Sequence, residues 1–254
     1  MKENFNDLFK TNLNLKTKEE FENYLKQELE REGFILTKEQ TFKLIEFLQI
    51  MLYYNKKFNL TKILNFEEIV LKHILDSLLV LKLVNPKEGF KMLDVGAGAG
   101  FPSTPIAIVC SFLKVVQIDS LKKRVDFLNV VKEKLNLNVS AFHKRAEEAA
   151  KEEKFREKFN LVTARAVSRL NVLCELSLPF VKLNGFFVAL KGPNYLEELN
   201  FAKTAIKKLG GKVKEVREFN LGDEATRVLI LIEKISQTSS KYPRSFSQIL
   251  KSPI

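Results

Sequence analysis

Along residues 91–235, short strongly apolar runs alternate with amphipathic stretches. The runs near 91–95, 114–119, 139–144, 159–165, 185–190, 212–219 and 227–235 read as strands. The stretches near 104–111, 121–136, 146–155, 169–182 and 195–209 carry the spacing of helices. Such alternation predicts an α/β fold, a mostly parallel seven-stranded sheet covered on both faces, whose last two strands form a hairpin through 221–226. Upstream the pattern changes. From Lys18 to Leu83 apolar residues recur at helical spacing. Leu44, Ile45, Leu48, Met51 and Leu52 mark one face of a long helix ending near Asn55–Asn59, and a second helix covers 67–83. The turn Asn85-Pro86-Lys87-Glu88-Gly89 separates the two regimes, giving a helical segment over 1–88, an α/β domain over 89–235 and a tail over 236–254.

A chain of 254 residues can bury a full core. The opening Met-Lys-Glu-Asn-Phe-Asn-Asp lacks the apolar centre of a signal peptide, and no apolar run approaches the roughly 18 residues of a membrane span. A soluble, cytoplasmic protein with no membrane partner is expected, and a monomer. Cys110 and Cys174 both fall in apolar helical stretches, so buried free thiols are expected, with neither a disulfide nor a metal site. The net charge of +11 is uneven: residues 1–90 hold 14 basic and 14 acidic side chains, residues 91–254 hold 28 and 17. A basic surface on the sheet half suggests a polyanionic partner, nucleic acid above all. The tail carries Lys241, Arg244 and Lys251 without an acid and is expected to be mobile or to face RNA.

Candidate chemistry gathers where the first strand meets its helix, at Asp94-Val-Gly96-Ala-Gly98-Ala-Gly100-Phe101-Pro102. Dinucleotide sites space their glycines G-x-G-x-x-G and aim a helix at a pyrophosphate. Here the spacing is G-x-G-x-G with an acid just before it. An acid there repels phosphates and suits a positively charged cofactor such as S-adenosyl-L-methionine. Twenty-three residues after Gly96, Asp119 ends the second strand, where a carboxylate accepts from ribose hydroxyls. The glycine turn and this acid resemble those of Rossmann-like methyltransferases. After the third strand, Ala146 and Glu147 would lie beside the adenine. Arg165 and Lys191, ending the fourth and fifth strands, would point at the cleft between cofactor and substrate, suiting a phosphate or the O6/N7 edge of guanine. His73 lies on an apolar helical face and reads as a buried, hydrogen-bonded residue.

What the chain lacks narrows the chemistry. The segment Thr163-Ala164-Arg165-Ala166 is unlike the Asn/Asp-Pro-Pro-aromatic signal of exocyclic-amine methylation, and neither cysteine sits at a strand end as pyrimidine C5 chemistry requires. A ring nitrogen or an oxygen remains as the attacking atom. Guanine N7 carries a lone pair and no proton, so its methylation needs positioning and no general base.

At this point several segments resemble, in order, the bacterial 16S rRNA guanine-N7 methyltransferases, the RsmG family long called glucose-inhibited division protein B. They are Asn55-Lys-Lys-Phe-Asn-Leu-Thr61, Lys72-His-Ile-Leu-Asp-Ser77, Asp94 to Pro102, Asp119-Ser-Leu-Lys-Lys-Arg124, Arg145-Ala-Glu147, Ala164-Arg-Ala-Val167, Leu178-Pro179, Ala189-Leu-Lys-Gly192 and Lys241-Tyr-Pro-Arg244. The resemblance implies a class I Rossmann-like fold and methyl transfer from S-adenosylmethionine to N7 of one guanosine in the decoding-region loop of 16S rRNA, on naked rRNA or the small ribosomal subunit. It implies cofactor contacts at Gly96, Phe101, Ala146, Glu147 and Arg165, and substrate-facing or structural roles for Lys191, Arg145, Asn59 and His73. One departure is Ser103-Thr104-Pro105 where that family usually has Gly-Ile-Pro, which is expected to tighten the turn near the methionine moiety. A methyltransferase of a small molecule or protein, and a non-catalytic RNA-binding protein, stay open as alternatives.

Overall fold

In the computed structural model, residues 18–165, 168–221 and 226–254 are described. The N-terminal segment opens with helix α1 (Lys18–Arg31) and the long α2 (Lys38–Phe58). Thr37 and Gln40 start α2 with reciprocal side-chain-to-backbone bonds of 3.2 and 2.8 Å, a capping box. Asn59 ends it with φ of 50°, a left-handed cap. The single helix expected over 67–83 is instead a composite, α3. It runs as α-helix over Phe66–Ile69, π-helix over Val70–Leu75, α-helix over Asp76–Leu78 and 3-10 turn over Leu79–Lys82. Periodicity marked its apolar face, but hydrogen-bond spacing within a helix leaves no trace in the pattern.

The sheet follows as β1 (Lys91–Val95), α4 (Ser103–Val109), β2 (Lys114–Asp119), α5 (Lys122–Leu135), β3 (Val139–His143), a short α6 (Ala146–Ala149) and β4 (Phe159–Arg165). Then come α7 (Leu170–Ser177), β5 (Val181–Lys191), α8 (Tyr195–Lys208), β6 (Gly211–Asn220) and β7 (Thr226–Lys234). The strand order is β3-β2-β1-β4-β5-β7-β6. β1 to β5 pair in parallel, while β7 pairs antiparallel with β5 and β6. The linking residues 222–225 of the expected hairpin lie outside the described residues. Two expected helices are shorter than their apolar patterns. The one over 146–155 stops at Ala149 and continues as turns, and the one over 169–182 yields to a 3-10 turn at Leu178–Phe180 where Pro179 removes a backbone donor. β5 accordingly begins at Val181, four residues before its expected start.

Successive β1 residues point to opposite faces, as a strand requires. Leu93 and Val95 join Val162, Leu173 and Ile206 on one face, while Met92 joins Leu161, Ile106 and Phe127 on the other. That second cluster also contains Phe21, Leu44, Leu48 and Met51, so the N-terminal helices share one hydrophobic core with the sheet. The tail, expected to be mobile or RNA-facing, is docked. Arg244 pairs with buried Glu175 through Nε at 2.9 Å and a terminal nitrogen at 2.6 Å, and Ile249 in helix α9 (Phe246–Lys251) is fully buried. Arg156 donates to the carbonyls of Thr238 at 2.7 Å and Tyr242 at 2.9 Å. Counting tail charges could not reveal partners that lie 69 to 86 residues earlier, Glu175 in α7 and Arg156 in the turns before β4.

Candidate functional site

The carboxyl ends of β1 and β2 are joined through backbone. The amides of Gly96 and Ala97 donate to the Ile118 carbonyl at 2.9 and 3.1 Å, and the Gly98 amide donates to Asp119 Oδ2 at 2.9 Å. Gly98 has φ of 57°, and a Cβ there would meet only the Gly96 carbonyl, at 3.8 Å. It leaves a wall of bare backbone. Gly100 combines a φ of 89° with crowding, since a Cβ there would lie 2.5 Å from Thr104 Oγ1 of α4.

Beneath the turn, Asp94 is fully buried. Ser103 Oγ donates to its Oδ2 at 2.5 Å and Thr163 Oγ1 to its Oδ1 at 2.9 Å. Burial pushes its carboxyl up to about 6 against those two hydrogen bonds. Gln117 Nε2 extends the network to Ser103 at 2.8 Å and Thr104 at 3.0 Å. Ser103 and Thr104 therefore turn inward to this network and line neither of the cavities described next. The same holds for Asp94, which braces the turn from below.

Two cavities lie along this edge. The larger, about 320 Å³, is walled by Gly96, Gly98, Phe101, Asp119, Arg124 and Arg165, and by Leu60, Thr61 and His73 of the N-terminal segment. The smaller, about 160 Å³, is walled by Lys144, Arg145, Ala146, Glu147, Leu176 and Phe246. Gly96, Asp119 and Ser120 line both, so the two form one path across the ends of β1 and β2. Asp119 sits at the junction. Its oxygens accept from the Gly98 amide, from the Leu121 amide at 2.8 Å and from Arg124 at 3.4 Å. A carboxylate has about four acceptor positions, and the long Arg124 contact comes from a part-exposed side chain, so capacity for ribose hydroxyls remains. Bare glycine backbone, a junction carboxylate and a flanking pair Ala146-Glu147 fit a nucleoside-bearing cofactor.

Arg165 projects from the end of β4 into the wall of the larger cavity. One terminal nitrogen donates to Asp76 Oδ2 and to the Lys72 carbonyl, both at 3.0 Å, and the guanidinium lies 5.0 Å from the Phe101 ring centre. His73 stacks on Phe101 at 4.4 Å. Burial, aided by the Arg165 charge, pulls the imidazole down to about 3, so it is neutral. Its Nε2 meets Thr61 Oγ1 at 2.8 Å and its Nδ1 meets the second Arg165 terminal nitrogen at 3.2 Å. Nδ1 also lies 3.1 Å from the Lys72 carbonyl, which only accepts, whereas the guanidinium only donates, so either tautomer of the neutral ring finds a partner at Nδ1. Thr61 is held in turn by Asn55, whose side chain bonds both its amide and its carbonyl.

Of the residues expected at the site, Gly96, Gly98, Phe101, Asp119, Arg145, Ala146, Glu147 and Arg165 line this path. Asp94 and Gly100 support it from behind. Asn59 is the exposed cap of α2, and the residues after it, Leu60 and Thr61, reach the cavity. Lys191 departs from expectation. Its Nζ is engaged by Glu198 at 2.5 Å and the Ser168 carbonyl at 2.9 Å, so it presents no free cation to the cleft. Ala166 and Val167 lie outside the described residues. Sequence reasoning missed Asp76, Arg227, Thr61 and Phe246. Only Asp76 left a signal, an acid in an apolar helical run four residues after Lys72. Among the described residues, no helix is long and apolar enough to cross a membrane, and no His, Cys, Asp or Glu group is arranged to hold a metal ion.

A sheet of this order with a glycine turn after β1 and a carboxylate ending β2 defines a class I Rossmann-like methyltransferase fold. Solved structures share that architecture. M. jannaschii TYW2, solved in complex with AdoMet, has a TM-score of 0.50 at 17% identity, covering 63% of this chain and 77% of that one. A branched-chain polyamine synthase from Thermus thermophilus reaches 0.52 at 15%, over 64% and 56%. The model of the family described as rRNA small subunit methyltransferase G (GidB) matches residues 40–227. Ribosomal RNA small subunit methyltransferase G of Clostridium beijerinckii is 44% identical over 92% of this chain and 99% of its own length. The Oceanobacillus iheyensis protein of that name is 45% identical, over 89% and 96%. The chain belongs to the rRNA small subunit methyltransferase G family.

Proposed function

We propose that this protein transfers a methyl group from S-adenosyl-L-methionine to N7 of a guanosine in the decoding-region loop of 16S rRNA, acting as a monomer in the cytoplasm. Membership of the family over most of the chain supports the reaction class. The observation that carries the site is the path through both cavities with Asp119 at its junction. Asp119 would accept from the ribose, Ala146 and Glu147 would read the adenine, and the backbone of Gly96 and Gly98 would admit the cofactor closely. The cofactor supplies an electrophilic methyl on a sulfonium. Phe101 and Arg165 wall the larger cavity; with its terminal nitrogens held on the α3 side, Arg165 would act there through its charge and its packing against Phe101.

Guanine N7 loses no proton on methylation, and the larger cavity matches that requirement: its histidine, pulled down to about 3, is a weak base and is already bonded at both nitrogens. The residues act by positioning and by charge. Lys191 contributes by fixing Glu198, which also accepts from the Leu170 amide at 2.8 Å.

The test is transfer of labelled methyl to small subunits lacking the modification, followed by borohydride and aniline cleavage at N7-methylguanosine. One cleavage in the decoding-region loop is expected. Label without cleavage would overturn the N7 assignment. Cofactor binding without label on subunits or rRNA would shift the reading to a small-molecule or protein substrate.

A further inference from the structure

A deeply buried charge cluster centres on Asp76, in the helical segment that precedes the sheet. Its side chain is fully buried, yet it meets two arginines from the far half of the fold. Arg165, ending β4, donates to Oδ2 at 3.0 Å. Arg227, at the start of β7, brings Nε to 2.6 Å from Oδ1, an ion pair whose N–H direction is off line for a hydrogen bond. Arg227 also donates to the Lys191 carbonyl at 3.3 Å, at the end of β5. One carboxylate thus ties the ends of β4, β5 and β7 to α3.

Two cations face one anion there, because His73 is neutral. Burying such a cluster carries a large desolvation cost, and apolar packing of similar volume is often equally stable. Its distinctive product is geometry. Arg165 has both terminal nitrogens held on the α3 side, by Asp76, the Lys72 carbonyl and His73, while it stays at the cavity wall beside Phe101. We propose that Asp76 is a positioning residue for methyl transfer, clamping Arg165 and Arg227 so that the Arg165 guanidinium is held over Phe101 at the larger cavity. The proposal rests on the reading that this cavity carries the transfer.

If Asp76 acts through Arg165, the two losses cannot be independent. The experiment is a double-mutant cycle of D76N and R165A, with R227Q as a second way to loosen the same clamp. Methyl transfer to small subunits and affinity for S-adenosylhomocysteine are measured for each, with thermal melts to verify folding. D76N is expected to lower kcat on the order of a hundred-fold, the effect of displacing a reacting arrangement by about an ångström. In the R165A background, D76N and R227Q are expected to add almost nothing. Losses that multiply in that background, or single variants with wild-type kcat, would reduce the cluster to a structural ion pair and overturn the proposal. Should D76N not fold, R227Q in both backgrounds decides the same question, since it leaves the Asp76–Arg165 contact in place. Were the wild type to transfer no methyl at all, the functional reading would fall, and the S-adenosylhomocysteine cycle would still decide the clamp.

Discussion

Asp94 and Asp76 are both fully buried carboxylates within one fold, and they are satisfied in opposite ways. Asp94 is held by neutral donors, Ser103 and Thr163, under the glycine turn. Asp76 is held by two guanidiniums. A neutral shell leaves burial to dominate, so the Asp94 carboxyl rises to about 6. A cationic shell places charge against charge and fixes long side chains from distant strands. The first arrangement shapes a turn, and the second aligns a side chain at the cavity. A buried carboxylate is therefore not a function until its partners are known.

The largest effect should come from breaking the charged cluster. Arg165→Ala leaves Asp76 paired with Arg227, so no buried charge is stranded, and it is expected to destabilise the fold by about 1.5–3 kcal/mol, the worth of a hydrogen bond to a charged group. Turnover should fall far more than non-specific RNA binding, compared by methyl transfer and by titration with an unrelated RNA. Equal losses would make Arg165 one phosphate contact among many. Asp94→Asn, which keeps the shape and one of the two acceptor oxygens, should change stability at neutral pH by no more than about 1 kcal/mol, within the net worth of one hydrogen bond. Denaturant melts of both variants would show whether the contrast holds.

Acid sharpens it further. A group whose folded pKa is raised stabilises when protonated, so the Asp94 contribution is full below the ordinary 3.8 and is lost as pH rises through about 6. His73 is lowered from 6.5 to about 3, so its contribution is present above 6.5 and is lost as pH falls towards 3. The two oppose each other across the same window. Asp94→Asn should compare better with the wild type at pH 7 than at pH 4, and His73→Gln better at pH 4 than at pH 7, by thermal melts at both values. The smallest effect is expected at Lys191. Because its Nζ is engaged by Glu198, Lys191→Gln should leave the salt dependence of RNA binding unchanged, where loss of a phosphate contact would reduce the slope by about one.

The same contrast explains what could be read from the chain. The Asp94 region lies within a short stretch in which strand, glycines and helix follow one another, and the alternation of apolar runs placed all seven strands in it and beyond. Asp119 was legible for the same reason, being at a strand end a fixed interval from the turn. The Asp76 cluster joins residues 76, 165 and 227, which only the sheet order brings together, with β7 inserted between β5 and β6. Lys191 was misjudged because a strand-end position shows where a side chain starts, not which neighbour it meets. The docked tail was hidden likewise, since its partners Glu175, in α7, and Arg156, in the turns before β4, lie far earlier in the chain.

The most direct measurement is calorimetric titration of S-adenosylhomocysteine into the wild type and Asp119→Ala. Asp119 also accepts from the Gly98 and Leu121 amides, so its removal is expected to cost about 1–3 kcal/mol of stability as well. Melts therefore accompany the titration, so that affinity is compared for folded protein. With Asp119 at the junction of both cavities, affinity should fall at least about ten-fold, the equivalent of one charged hydrogen bond. Unchanged affinity in a folded Asp119→Ala protein would place the cofactor elsewhere and contradict the account.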